Sequence, residues 1–159
     1  MEPTLVNMLI DPVFMIREES ANTIIKLSKT LFDATWLYRI IEAKLDELVR
    51  HERFMLRIQT IHMINQMKEH VSDHLAGAQF AQYLFTLATD PVPNIRFNVS
   101  KSLISIYPKM NEENKGRTRE ILERMAETDA DFDAKYYAQK ALDVLSGRSP
   151  AADENAASQ

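Results

Sequence analysis

The sequence predicts an all-α superhelix, and a pattern that returns every 39 or 40 residues is the first reason. The pattern is a short segment that ends in a basic residue, and its four copies span residues 11–17, 51–57, 90–96 and 129–135. A fixed period of this length is typical of helical solenoids of the HEAT or armadillo type, in which neighbouring units share one core. We therefore predict about four stacked helix pairs.

Apolar residues at fixed distances after the basic residue are the second reason. Three residues further on, each copy has a small residue: Ser20, Thr60, Val99 and Ala138. Seven and ten residues further on, each copy has a larger apolar residue: Ile24, Ile64, Leu103 and Leu142, then Leu27, Met67, Ile106 and Leu145. Offsets of 0, 3, 7 and 10 lie on one helix face, so these positions predict the second helix of each unit, helix B.

The residues before each segment predict the first helix of each unit, helix A. Leu5, Leu45 and Leu84 recur at one position, where the fourth unit has Glu123. Asp-Pro pairs at residues 11–12 and 90–91 indicate a turn between the two helices. The predicted units span about 1–30, 34–71, 77–109 and 115–146, which together form one solenoid over residues 1–146. Residues 147–159 contain too few apolar side chains to fold, so we expect a disordered tail.

The first helix differs from what a capping unit requires. It presents Leu5, Met8, Leu9 and Ile10 where a terminal repeat normally has a polar outer face. We therefore expect the chain to be a fragment of a longer solenoid or an unusually short product. We also expect self-association through this truncated N-terminal helix.

Composition argues against several functional classes. The net charge is −4 and the basic residues are interleaved with acids, so we expect no nucleic acid partner. No apolar run approaches the ~20 residues of a membrane span, so we expect no membrane partner. The chain has no cysteine, which excludes a disulfide framework and thiolate chemistry. We expect it in the cytoplasm and also in the nucleus.

Two groups of residues suggest metal binding, and both are incomplete. Residues 129–133 have the spacing of the first calcium-loop ligands, but Ala134 and Lys140 stand where that loop needs Gly and Glu. His70 and His74 are four residues apart, as zinc ligands on a helix are, but a third ligand is missing. We find no nucleophile or phosphate-binding loop in a recognisable setting. The sequence therefore predicts no catalytic residue, no metal, no cofactor and no enzymatic activity.

The turns between helices A and B are the best candidates for a binding surface. Phe14, Phe54 and Phe132 occupy the same position in three of the four copies, and Pro93 occupies it in the other. Each Phe could instead pack back on its own unit. Stacked units place these turns in one row, however, and a row of aromatic and Arg side chains has the composition of a protein interface.

The basic residues that close the segments have a second interpretation. They are Arg17, Arg57, Arg96 and Lys135. They could pair with Asp11, Asp90 and Asp129 of neighbouring turns and so form a ladder that holds the units in register.

Two C-terminal segments carry a family resemblance. Residues 90–103 (DPVPNIRFNVSKSL) resemble the penultimate repeat of the scaffold (A, structural) subunit of protein phosphatase 2A, and residues 131–146 (DFDAKYYAQKALDVLS) resemble its final repeat. Residues 14–18 (FMIRE), with Trp36 downstream, are similar to the repeat two units earlier. The resemblance covers roughly residues 3–146. The chain departs from the family at residues 51–53 (HER), which replace an Asp-Pro type of turn.

The resemblance implies a non-enzymatic horseshoe of HEAT repeats. In that family the C-terminal repeats bind the phosphatase catalytic subunit through their intra-repeat turns, and the N-terminal repeats bind a regulatory subunit. A regulatory subunit would therefore bind only through repeats that are missing here. By matching position, the catalytic-subunit contacts fall on Phe14, Arg57 and Val92.

We add the neighbouring turn residues Phe54, Asn94 and Phe132 as further partner-binding candidates. Truncation of Phe14 or Arg57 is expected to leave stability nearly unchanged. The alternative function is a HEAT-repeat adaptor for transport or chromosome-associated proteins, which would bind through the concave face formed by the B helices.

Overall fold

A computed structural model describes residues 2–30 and 34–148 of the chain. Within these ranges the chain forms α-helices and no β-strand, which confirms the all-α class. The helices are α1 (Glu2–Met8), α2 (Phe14–Thr30), α3 (Ala34–Val49), α4 (Phe54–Met67), α5 (Ala81–Leu87), α6 (Pro93–Ile106), α7 (Glu112–Thr128) and α8 (Phe132–Leu145). A π-helical turn at Leu75–Phe80 leads into α5, and a 3-10 turn at Tyr107–Lys109 follows α6.

The helices pack in two layers, as the predicted α-α superhelix requires. Helices α1, α3, α5 and α7 form the A layer, and each packs on the next. Helices α2, α4, α6 and α8 form the B layer in the same order, and each also packs on its own A helix. The structure therefore contains the predicted succession of helix pairs. The third pair begins at Leu75 and the fourth at Glu112, slightly before the unit bounds that the period predicts, and those bounds stay predictions.

The B helices all begin at the same position of the repeated segment. Their first residues are Phe14, Phe54, Pro93 and Phe132. Proline suits this position because the first helical residue needs no N–H donor and its fixed φ matches the helix. Before α8, the Asp131 carboxylate accepts the N–H of Ala134 at 2.9 Å and caps the helix. The candidate aromatic residues are thus the first residues of helices.

The shared core contains the positions that the repeat predicts. All four small residues at offset three are buried, as are Ile24, Ile64 and Leu103 at offset seven. Leu142 and Leu145 are only partly buried, because no helix pair follows α8 among the described residues. Helix α8 ends at Leu145, and Gly147 follows with a φ of 70°, the left-handed conformation typical of a helix stop. Of the predicted disordered tail, residues 149–159 lie outside the described residues.

A close backbone contact lies within the third helix pair, between the π-helical turn that leads into α5 and the 3-10 turn that follows α6. A Cβ atom added to Gly77 in the π-helical turn would lie 2.0 Å from the carbonyl oxygen of Lys109. The Lys109 Nζ donates to the carbonyl oxygen of Lys68 at 2.8 Å and to the carboxylate of Glu69 at 2.9 Å. Asn114 donates from Nδ2 to the carbonyl oxygen of Gly77 at 2.9 Å. Only glycine fits at this joint without a shift of the backbone.

Candidate functional site

The starts of the four B helices form the candidate binding surface, which we call the turn ridge. We define it by the six predicted partner-binding residues: Phe14, Phe54, Arg57, Val92, Asn94 and Phe132. Phe14, Phe54 and Phe132 are 59%, 42% and 79% exposed, and Asn94 is exposed as well. Val92 and Arg57 are partly buried, and Val92 packs against the core. An exposure of 79% means that Phe132 does not pack back on its own unit.

The surface around the turn ridge is most apolar at the first two helix pairs. Met15 and Met55, which follow the two Phe residues, are 60% and 57% exposed. Val13 and Ile16 are exposed beside them. Clusters of exposed apolar side chains are uncommon on isolated soluble domains and are typical of interaction sites. Methionine is a frequent residue of such surfaces because its flexible side chain adapts to a partner.

Each turn is closed by the side chain of its first residue. The carboxylates of Asp11, Asp90 and Asp129 accept the backbone N–H two residues later, at 2.8, 2.9 and 2.9 Å. In the second turn, Nδ1 of His51 accepts the N–H of Arg53 at 3.1 Å. A neutral imidazole whose Nδ1 accepts carries its proton on Nε2. His51 therefore closes the turn as aspartate does, but it presents a donor where aspartate presents a second acceptor.

A recurring geometry also places the Arg side chain over its own turn. Nη1 of Arg57 donates to the carbonyl oxygens of His51 and Glu52, at 2.8 and 2.9 Å. Nη1 of Arg17 donates to the carbonyl oxygens of Asp11 and Pro12, at 2.6 and 3.1 Å. Arg96 likewise donates to the carbonyl oxygen of Asp90 at 2.7 Å. These bonds are all made by Nη1. They leave Nε and Nη2 of each guanidinium group available for a partner other than the carbonyl oxygens of the same turn.

Two of these Arg side chains bind the aspartate of the next turn, as the ladder interpretation predicts. Nε and Nη2 of Arg57 donate to the two carboxylate oxygens of Asp90, at 2.6 and 2.9 Å. Arg96 binds Asp129 in the same bidentate way, at 2.7 and 2.6 Å. The Arg96 guanidinium lowers the pKa of Asp129, and the bond to Asp90 raises the pKa of Arg57. We call the two pairs the inter-turn ladder.

The inter-turn ladder does not extend to Arg17. Among the residues that the structure describes, no carboxylate lies within ion-pair distance of Arg17. The turn that follows Arg17 has His51 at the aspartate position. Arg17 instead lines a pocket of about 140 Å³ between α2 and α4, together with Phe14, Gln59 and His62.

The bonding of Arg57 corrects one expectation from the sequence. The turn position of Arg57 predicts that its truncation leaves stability nearly unchanged, as for an exposed interface residue. The structure gives its guanidinium group four hydrogen bonds within the protein, and the side chain of its partner Asp90 is only 4% exposed. Loss of Arg57 would leave a buried carboxylate without its cation, which is strongly destabilising. A role of Arg57 in partner binding stays a prediction.

The other sequence candidates do not come together as a site. Within residues 2–30 and 34–148, no group of three or more His, Cys, Asp or Glu side chains could hold a metal ion. His70 and His74 lie between the end of α4 and the π-helical turn, and not on one helix face.

Within residues 2–30 and 34–148, no helix is both long enough and apolar enough to cross a membrane.

Sequence reasoning missed a cation–aromatic cluster on the B layer. Nζ of Lys101 lies 3.9 Å from the ring centre of Tyr137 on α8 and 4.9 Å from that of Phe97 on α6. The two rings are 5.3 Å apart. The spacing of Phe97 and Lys101 by four residues is a sequence signal for contact on one helix face. The contact with Tyr137 depends on how α6 and α8 pack, so it could not be predicted from the sequence.

Comparison with known proteins gives a partial similarity. No protein-family model matches the chain. The chain is 42% identical over 55 residues to the beta isoform of the 65 kDa regulatory (A) subunit of serine/threonine-protein phosphatase 2A from Homo sapiens, and equally to the same isoform from Rattus norvegicus and Mus musculus. The matched segment covers 34% of this chain and 9% of each relative, so the chain spans a small part of the relatives' length. This similarity supports the resemblance over one third of the chain.

Proposed function

We propose that this chain is a non-enzymatic scaffold that binds a serine/threonine phosphatase catalytic subunit through the turn ridge. The main support is that three helix B starts expose a phenylalanine in one row. Exposed aromatic residues beside Arg and Met are the residue types that dominate protein–protein interfaces. The partial similarity to a phosphatase regulatory subunit supports the choice of partner.

The six ridge residues divide into two roles in this proposal. Phe14, Phe54, Asn94 and Phe132 are exposed and contact the partner directly. Arg57 and Val92 are partly buried, so they mainly hold the turns in the shape that the partner recognises. A regulatory subunit would bind only through repeats outside this sequence, and the complex would work in the cytoplasm and nucleus.

Calorimetric titration of the purified catalytic subunit of protein phosphatase 2A into the chain tests the proposal. We expect Phe14→Ala and Phe132→Ala each to weaken binding by roughly 1–2 kcal/mol, which is about 5- to 30-fold in affinity. Val144→Ala is the matched control, because Val144 is also exposed but lies on α8 near its C-terminal end. All three variants should keep the melting temperature of the original chain, since exposed side chains contribute little to stability.

Two results would contradict this function. If the chain shows no binding to the catalytic subunit, the phosphatase assignment is wrong. If Val144→Ala or Tyr136→Ala weakens binding while the Phe variants do not, the B helices form the interface and the adaptor function is favoured. Tyr136 is exposed on α8 beside Tyr137 and so reports on that surface.

We also propose self-association through the N-terminal helix, but without Leu9, which the sequence places on its outer face and the structure buries. Leu5, Met8, Met15 and Ile16 line an open apolar depression of about 440 Å³ between α1 and α2. Covering these side chains with a second copy would remove apolar surface from water. Sedimentation velocity over a range of concentrations should show a dimer for the original chain and a monomer for Met8→Glu. A monomer at all concentrations would contradict self-association.

A further inference from the structure

Arg17 has the same surroundings on its own turn as the two Arg residues of the inter-turn ladder, but it has a different partner. All three side chains donate to carbonyl oxygens six residues earlier. In Arg57 and Arg96, Nε and Nη2 then bind a carboxylate at 2.6–2.9 Å. The molecule thus shows twice which chemical group this arrangement binds. At Arg17 the described residues provide no such group.

The chain itself does not supply the missing carboxylate. His51 stands at the aspartate position, and its Nδ1 is occupied by the N–H of Arg53. The remaining ring nitrogen, Nε2, is a donor and cannot accept from Arg17. Glu18 lines the same pocket, yet it forms no ion pair with Arg17 in the part of the chain that the structure describes.

The surroundings of Arg17 favour an acidic group that belongs to a protein. The ring of Phe14 lies 5.6 Å from the Arg17 guanidinium carbon and is 59% exposed. Met15 is exposed next to it, and the following turn exposes Phe54 and Met55. A small free anion would gain nothing from this apolar rim, whereas a protein chain that carries an acidic residue would bury part of it.

We propose that Arg17 binds an acidic side chain of a partner protein. The partner carboxylate takes the place that Asp90 and Asp129 take at the other two turns, with Nε and Nη2 of Arg17 as the donors. Apolar residues of the partner on either side of its acidic residue contact Phe14 and Met15. This site does not depend on the partner being a phosphatase subunit.

Nuclear magnetic resonance of the Arg Nε–H groups tests the carboxylate site directly. Sodium acetate is titrated into the full chain, with sodium chloride at equal ionic strength as the reference. We expect the Arg17 signal to move toward the positions of Arg57 and Arg96, while those two signals stay unchanged. His51→Asn keeps the turn acceptor without a charge and should respond like the original chain. His51→Asp supplies an internal carboxylate and should abolish the response.

A pair of capped hexapeptides tests whether the occupant is a protein side chain. One peptide has a single Glu between apolar residues, and the other has Gln in its place. We expect the Glu peptide to move the Arg17 signal at about tenfold lower concentration than acetate, because it also contacts the apolar rim. The Gln peptide should lose the effect. Phe14→Ala should remove the advantage of the peptide and leave the response to acetate unchanged.

Three outcomes would overturn the proposal. An Arg17 signal that does not respond to acetate or to the Glu peptide means that no carboxylate site exists. An equal response in His51→Asp means that the anion binds elsewhere. Equal potency of acetate and the Glu peptide means that the site binds free anions and not a protein side chain. None of these results depends on whether the chain binds the phosphatase catalytic subunit.

Discussion

The joint between the first two helix pairs differs from the two later joints at the first residue of the turn, where His51 replaces aspartate. At the later joints, Arg57 and Arg96 are each bound to the aspartate of the next turn by two parallel hydrogen bonds. At the first joint, the turn that follows Arg17 along the chain is closed by His51 in place of aspartate. The comparison shows that the turn aspartate has a local and a non-local role. Histidine replaces it in the local role, which needs only an acceptor, and not in the non-local one, which needs a negative charge.

The first test of this difference compares Arg57→Ala with Arg17→Ala. Arg57→Ala should lower the free energy of unfolding by about 3–5 kcal/mol, because it leaves the buried Asp90 carboxylate without its cation. Arg17→Ala removes bonds to carbonyl oxygens of its own turn and a contact with the exposed Phe14 ring, and should cost less than about 1 kcal/mol. Urea unfolding followed by circular dichroism measures both values. Equal losses in the two variants would mean that the inter-turn ladder adds little to stability.

The second test concerns the glycine that lets the π-helical turn before α5 approach the 3-10 turn after α6. Gly77→Ala should lower the free energy of unfolding by about 3 kcal/mol, because its Cβ would meet the backbone of Lys109. Gly116→Ala is the control, since a Cβ there meets nothing within 4 Å. Gly116 lies inside α7, so its change to Ala should stabilise the chain by about 0.5–1 kcal/mol. Thermal unfolding of both variants should therefore shift in opposite directions, and a shift in the same direction would contradict the close contact.

The third test uses pH to isolate the charge of one ladder pair. Arg96 lowers the pKa of Asp129 in the folded chain. The pair therefore contributes stability that is complete above the unfolded pKa of about 4 and is lost as pH falls through the lower, folded value. Asp129→Asn should lower the free energy of unfolding by about 1–2 kcal/mol near pH 7, and the difference from the original chain should shrink below about pH 4. A difference that persists in strong acid would point to hydrogen bonding alone.

The smallest effect is expected at a buried hydroxyl on the helix that carries Arg57. Among the described residues, the Oγ1 of Thr60 is buried and has no hydrogen-bond partner. Thr60→Val keeps the shape of the side chain and removes the unsatisfied group, so it should stabilise the chain by about 1 kcal/mol. Differential scanning calorimetry would show a higher melting temperature. Ser20→Ala is the contrasting control at the same repeat position, because the Ser20 hydroxyl donates to the carbonyl oxygen of Ile16 at 2.7 Å. That variant should not gain stability.

The sequence predicts those parts of the fold that repeat. The small residues at offset three and the larger ones at offset seven report the buried face of each B helix, because one helix face recurs in every unit. The π-helical turn at Leu75–Phe80 occurs in one unit, so no period reveals it. The need for glycine at position 77 depends on the 3-10 turn that packs against it from 32 residues further along the chain.

For the candidate site, too, the sequence predicts the features that repeat and misses those that depend on packing. The recurring Phe and Arg positions of the turn ridge are visible in the sequence, and so is the aspartate that could pair with Arg in the next turn. The sequence does not tell whether Arg57 faces a partner or Asp90, because both interpretations require the same residue. The stacking of the turns decides this, since it brings residues 33 apart within 2.6 Å.

The bidentate geometry of the inter-turn ladder also has a mechanical meaning. Two parallel bonds between a planar guanidinium group and a planar carboxylate resist rotation of one turn against the next, whereas a single bond would act as a pivot. The second, third and fourth helix pairs are therefore coupled in torsion as well as in distance. The first helix pair lacks such a coupling within the described residues, so we expect twisting to be easiest at that joint. We therefore expect the second, third and fourth helix pairs to move as one unit when a partner bends the superhelix, with the first pair turning against them.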